Sequence, residues 1–100
     1  MDRKSDIDEL VGVVKEFRDK RDWKQYHNPK DLSLSISIES SELLELFQWK
    51  DKDEPVDKER LKEEMADILI YLLSLSEVTD IDLFEAVHEK IEKNREKYPV

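Results

Sequence analysis

An all-α fold follows from how rarely this sequence breaks a helix, how regularly its apolar residues recur, and where its capping residues fall. Only Gly12 and the prolines Pro29, Pro55 and Pro99 interrupt 100 residues, so most of the chain is free to be helical. Four stretches carry apolar residues at three- and four-residue spacing; three are preceded by a serine, asparagine or aspartate suited to cap a helix, and the other is opened by a proline. With 38% hydrophobic and 43% charged residues the composition is globular, and the length suits one domain over residues 1–100.

The first helix begins near Ser5 or Asp6, because Ser5 with Asp8 and Asp6 with Glu9 both fit an acidic N-cap pattern. It carries Ile7, Leu10, Val11, Val14 and Phe17 at helical spacing and ends around Asp19. The linker KRDWKQYHNPKD, Lys20–Asp31, holds Trp23, Tyr26 and His27, a high ring density for a connector.

The next stretch, LSLSISIESSELLELF from Leu32, reads two ways. Leu32, Leu34, Ile36 and Ile38 alternate with Ser33, Ser35, Ser37 and Glu39 as in a half-buried strand. Glu39, Glu42 and Glu45, however, recur every three residues, a spacing with meaning only on a helix. Asn28 before Pro29, or Asp31 before Leu32, supplies an N-cap, and Pro29 fits the first helical position. One helix over residues 32–49 is therefore expected, apolar on most faces, with Ser33, Ser37, Ser40 and Ser41 permitting close helix contact.

The polar loop KDKDEPVDK, Lys50–Lys58, follows, and Pro55 opens a third helix through LKEEMADILIYLLSLSEV. Leu61, Met65, Ile68, Leu69 and Leu72 form its stripe, which Ile70 and Leu73 widen almost to the full circumference. A turn at Thr79–Ile81 leads to Asp82, which with Glu85 makes a capping-box pattern for the last helix, LFEAVHEKIEKNREKY; Pro99 ends it. Two helices apolar nearly all round exceed what a chain of this length can cover, so a homo-oligomer, a dimer or more strongly a tetramer, is expected.

The chain has 26 acidic and 17 basic residues, a net charge of −9, which repels a polyanionic backbone and excludes nucleic acid as partner. A phosphate ligand would need cations, and clustered carboxylates point to a divalent metal. Cysteine is absent, so disulfides, thiolate zinc sites and a thiol nucleophile are excluded. The charged N-terminus has no apolar signal core, and the longest apolar run, Ile68–Leu73, is far short of the ~20 residues of a membrane span. A cytoplasmic protein is expected.

Glu39 and Glu42 lie three residues apart, roughly 60° around a helix axis, and can reach one ion. Glu64 and Asp67 repeat the spacing on the third helix. Facing pairs would hold four carboxylates around one or two divalent cations, an oxygen environment suited to Mg²⁺ or Mn²⁺. Glu39 sits among Ile36, Ile38 and Leu43, and Asp67 among Met65, Ile68 and Ile70, where an unpaired carboxylate would be costly. The alternative is that these acids lie on solvated faces; Glu45, Glu59 and Glu63 read as solvent-facing or as supporting neighbours of the ligands.

The string ESSELLELFQW, then LKEEMADILIYLLSL, then KIEKNREKYP resembles the MazG-like all-α nucleotide pyrophosphohydrolases, and is most similar to their dCTP pyrophosphatase branch and its bacterial relatives. The family's ExxE, spacer, ExxD motif matches Glu39, Glu42, Glu64 and Asp67, and RDWKQYHNPKDL resembles that branch's linker. The chain departs from the pattern in having Ser40 and Ser41 where small residues, often glycine, separate the glutamates. It departs again in having Ile38 where other members carry an extra glutamate.

The resemblance implies a four-helix fold packed across subunits and a Mg²⁺-dependent hydrolysis of (deoxy)nucleoside triphosphates to monophosphate and pyrophosphate. Metal held by Glu39, Glu42, Glu64 and Asp67 would neutralise the triphosphate and activate the attacking water, with no protein nucleophile. It also implies phosphate and sugar contacts from Lys90 and Asn94, with Arg95 and Tyr98 beside them, and a base pocket lined by Trp23, Trp49 and Tyr71. Without it, Lys90, Asn94 and Lys97 read as a solvated face beside Glu89, Glu92 and Glu96, and the aromatics as core or interface. His27 reads equally as a substrate contact or as a capping or interface residue.

Two metal alternatives fail on the residues. Glu85 and His88 form an ExxH motif, but a di-iron bundle needs two such motifs and the second histidine, His27, lies in a linker. DKDEPVDKERLK puts Val56 where a calcium loop needs glycine and Lys62 where it needs glutamate. A non-catalytic helical oligomer that binds a partner or a nucleotide is the remaining alternative to an enzyme.

Overall fold

The computed structural model describes residues 5–100, which form helices and turns with no strand among the described residues. The order is α1 (Asp6–Lys20), one 3-10 turn (Lys24–Tyr26), α2 (Pro29–Glu45), α3 (Lys58–Thr79) and α4 (Leu83–Lys97).

Capping sets these boundaries. The Ser5 side chain accepts from the Asp8 N–H while the Asp8 carboxylate accepts from the Ser5 N–H, so the first of the two patterns at this end is used. Asn28 accepts from the Asp31 N–H, and Pro29 takes the first helical position. The alternating stretch after it is helical throughout. Its Ser33 and Ser41 hydroxyls donate to the carbonyls of Pro29 and Ser37, one turn back. Ser33, Ser37, Ser40 and Ser41 are exposed, so within one protomer they do not mediate the close contact expected of them.

Two boundaries differ from expectation. α2 ends at Glu45, because Leu46, Phe47 and Gln48 donate to carbonyls three residues back and Trp49 turns out of the helix with φ 67°. α3 starts at Lys58 instead of at Pro55, because the Asp57 carboxylate accepts from the Glu59 and Arg60 N–H groups that would otherwise be orphaned. At its other end Asp80 adopts φ 56°, and the Ile81 N–H donates to the Ser76 carbonyl at 2.9 Å, closing the helix in a Schellman-type turn. Asp82 then caps α4 by accepting from the Glu85 N–H.

α2 and α3 make the main helix contact, and α1 lies on α3. The buried apolar side chains are Leu32, Leu46 and Leu73. Leu73, expected only to widen the α3 stripe, is its best-covered leucine at 2% exposure, whereas Met65 of that stripe is 57% exposed. On α1 the face of Ile7, Val11, Val14 and Arg18 turns inward, while Leu10, Val13 and Phe17 stay exposed. α4 has at most marginal contact with the other helices, and Phe84, Val87 and Ile91 are exposed along one of its faces. The radius of gyration is 16.2 Å, against about 13 Å for a compact domain of this length. Among the described residues no helix is long and apolar enough to cross a membrane.

Candidate functional site

α2 and α3 run antiparallel. Ser35 and Tyr71 line one cavity, while Glu39, one turn further along α2, meets Asp67 and Glu64, one and two turns back along α3. Glu39, Glu64 and Asp67 each bring a carboxylate oxygen within 4.8 Å of the others. Glu39 Oε2 and Glu64 Oε2 are buried and have no hydrogen-bond partner. Unpartnered acid oxygens in such a place are costly unless something cationic joins them.

The electrostatics agree. Burial, then the hydrogen bond and charge of Glu42, then the charges of Asp67 and Glu64 push the Glu39 carboxyl up to about 7. Glu64 is raised as well, by burial first and then by Glu42 and Asp67, with Arg60 opposing. Glu42 thus adjoins both glutamates, although its oxygens fall outside the tight group of three. Convergent hard oxygens, two of them buried without partners, fit a divalent cation.

One turn along from the acids, roughly 6 Å by helix rise, lies a cavity of about 230 Å³ lined by Trp23, Tyr26, His27, Asp31, Ser35 and Tyr71. Trp23 meets Phe17 edge-on, with ring centroids 5.6 Å apart, and the Arg21 guanidinium covers the Phe17 ring at 3.6 Å. His27 Nδ1 is buried without a partner. Burial holds the imidazole pKa below its ordinary value, reinforced by the charge of Arg18 and opposed by Glu77.

Of the sequence-derived candidates, the protomer therefore gathers Glu39, Glu64 and Asp67 in one group with Glu42 beside it, and Trp23 and Tyr71 in the adjoining cavity. It does not bring the others there. Trp49 is 94% exposed on the loop after α2. Lys90, Asn94 and Arg95 lie on α4 and Tyr98 at its end, away from the α2–α3 pair; Arg95 pairs with Glu92. Sequence reasoning missed Asp31 and Ser35 in the cavity, and it missed the buried Arg18 with its partner Glu77. A signal existed for two of them. Ser35 precedes Glu39 by one turn, as Tyr71 follows Asp67, and Arg18 continues the inward spacing of Ile7, Val11 and Val14.

The sequence pattern of the MazG-like family matches residues 34–100. Among curated proteins, dCTP pyrophosphatase 1 of Mus musculus is 47% identical over 101 residues, taking in 94% of this chain and 59% of that protein. Its counterpart in Homo sapiens is 43% identical over 100 residues, taking in 93% of this chain and 59% of the human protein. The chain thus spans less than two thirds of these relatives. The crystal structure of a pyrophosphatase from Archaeoglobus fulgidus superposes with a TM-score of 0.86 at 45% identity, covering 100% of this chain and 98% of that one.

Proposed function

This chain belongs to the MazG-like family, and from that premise we propose that it hydrolyses (deoxy)nucleoside triphosphates, dCTP or a close relative, to the monophosphate and pyrophosphate. The observation that carries the reading is the convergence of Glu39, Glu64 and Asp67 oxygens within 4.8 Å, at residues of which Glu39 and Glu64 each keep a buried oxygen without a partner. Relatives named dCTP pyrophosphatase, and a pyrophosphatase structure of the same fold, support the substrate class.

Glu39, Glu42, Glu64 and Asp67 would hold Mg²⁺, with Mn²⁺ as a substitute. When bound, the metal neutralises triphosphate charge and lowers the pKa of the attacking water. The chain's own residues do the rest. The antiparallel α2–α3 pair fixes the acids before substrate arrives, so little reorganisation is needed at reaction. Trp23 and Tyr71 offer flat faces for the base, and Asp31, Ser35 and His27 supply polar atoms at its edge. The cavity lies about one helical turn from the acids, a span suited to a nucleoside whose phosphates extend toward them.

The protein acts as a homo-oligomer, most simply a tetramer built as a dimer of dimers, in the cytoplasm. Support comes from the open protomer: α4 is almost unpacked, and large apolar residues from Leu10 to Ile91 remain exposed. In that assembly Trp49, Lys90, Asn94, Arg95 and Tyr98 reach the site of a neighbouring copy, Trp49 stacking on the base and the α4 residues binding phosphate and sugar. Incubation with a panel of nucleoside triphosphates and Mg²⁺ tests the activity. Pyrophosphate release, greatest with a deoxynucleotide such as dCTP, is expected; no release from any of them at high enzyme concentration would favour a non-catalytic helical module.

A further inference from the structure

Arg18 is buried to 2% exposure, yet its hydrogen bonds reach none of Glu39, Glu42, Glu64 and Asp67. Its Nη1 donates to Glu77 Oε2 at 2.5 Å, and its Nε and Nη2 donate to Asp19 Oδ1 at 3.0 and 2.9 Å. Taking a guanidinium out of water is expensive, and apolar residues of similar volume usually hold two helices together as well. A buried pair of this kind therefore invites a reason other than stability.

Its position supplies one. The Arg18 carbonyl accepts from the Arg21 and Trp23 N–H groups at 3.2 and 3.1 Å, closing the turn in which Asp22 adopts φ 55°. That turn delivers the Trp23 ring edge-on to Phe17 and starts the Trp23–His27 segment that forms one wall of the cavity. At the far end of the segment, His27 lies within the electrostatic reach of both Arg18 and Glu77. Glu77 stands on α3, the helix that also carries Tyr71, a further lining residue of the cavity. The main chain of Arg18 thus anchors the Trp23 wall, while its side chain ties that anchor to the helix bearing Tyr71.

We infer that Arg18 and Glu77 are a positioning pair that fixes the separation of the Trp23–His27 segment from Tyr71, so that the slot for a nucleobase exists before the nucleotide arrives. The inference rests on the nucleotide-site reading above. Because the pair contacts neither the acids nor the reacting phosphates, its loss weakens binding and spares the chemical step, raising KM with kcat retained.

Two variants test it. Arg18→Met/Glu77→Leu keeps an apolar α1–α3 contact in place of the charges, and Arg18→Lys keeps the charge without the planar fork. Each is assayed for dCTP hydrolysis with Mg²⁺. In a Trp49→Phe background, where Trp23 is the sole tryptophan, each is also assayed for steady-state fluorescence anisotropy without nucleotide. The expected result is a KM for dCTP raised about fivefold or more, kcat within about twofold of wild type, and lowered Trp23 anisotropy, with the melting temperature of the double variant little changed. A double variant with wild-type KM and wild-type anisotropy would show the pair to be structural only and overturn the inference. A fall in kcat with KM unchanged would also overturn it. If the double variant does not fold, Arg18→Lys decides by the same two readouts. A wild-type protein that releases no pyrophosphate would remove the functional reading, and the anisotropy comparison would then decide the positioning role by itself.

Discussion

Glu39→Gln should make the metal-free protein more stable while removing its turnover. The Glu39 carboxyl is pushed up to about 7 from an ordinary 4.5, so between those pH values the folded protein holds a proton that the unfolded chain has released. Stability then falls as pH rises through this window, because the folded state binds more protons than the unfolded one. The gap corresponds to at most about 3–4 kcal/mol at roughly 1.36 kcal/mol per pH unit. Glu39 is only partly enclosed, and screening by water reduces this to about 1–2 kcal/mol. Glutamine, neutral throughout, escapes the cost. Urea denaturation in EDTA at about pH 8 and fixed subunit concentration should place Glu39→Gln about 1–2 kcal/mol above wild type, and the difference should shrink on acidification toward pH ~4.5. Adding Mg²⁺ should reverse the order, since a ligand at about 100 times its Kd stabilises by about 2.7 kcal/mol and the variant holds it less well. Wild type at least as stable as Glu39→Gln in EDTA at the higher pH would refute the reasoning.

Glu42→Gln and Asp67→Asn should each lower pyrophosphate release by about a hundredfold or more with helicity unchanged by circular dichroism; retained activity in either would remove that residue from the metal group. Trp49 holds φ 67°, a conformation costing a non-glycine residue about 1–2 kcal/mol. Trp49→Gly should therefore unfold no more easily than wild type yet raise KM for dCTP about tenfold, and an unchanged KM would deny the ring a place on the substrate. Ile91→Asp, on the exposed apolar face of α4, should dissociate the assembly in sedimentation velocity at micromolar concentration, whereas wild type running as a monomer would contradict the oligomer itself. Leu73→Ala should cost about 2–5 kcal/mol in urea denaturation, since that side chain is 2% exposed.

The helices were legible because local signals set them. Ser5, Asn28 and Asp82 cap where their patterns occur, and the ExxE and ExxD spacings put each pair of acids on one face before any tertiary contact is considered. The α3 boundary was less legible because Pro55 and Asp57 are competing start signals, and a capping acceptor outweighed a preset φ. The apolar stripe of α3 was misjudged for a different reason. A helix apolar nearly all round carries no periodic clue to which face α1 and α2 cover, so Leu73 and Met65 exchanged their expected roles. The acids could be paired from sequence, but their sharing of a site with Trp23 and Tyr71 depends on the antiparallel register of α2 and α3. The Arg18–Glu77 pair joins residues 59 positions apart, a distance over which no spacing rule operates.

The functional reading stands on a divalent cation held between α2 and α3, which anomalous scattering from a crystal soaked in Mn²⁺ and a non-hydrolysable dCTP analogue would locate. A peak about 2.1 Å from oxygens of Glu39, Glu64 and Asp67 is expected, with the phosphates of the analogue on its open side. Density without such a peak, with those carboxylates turned to bulk solvent, would contradict it.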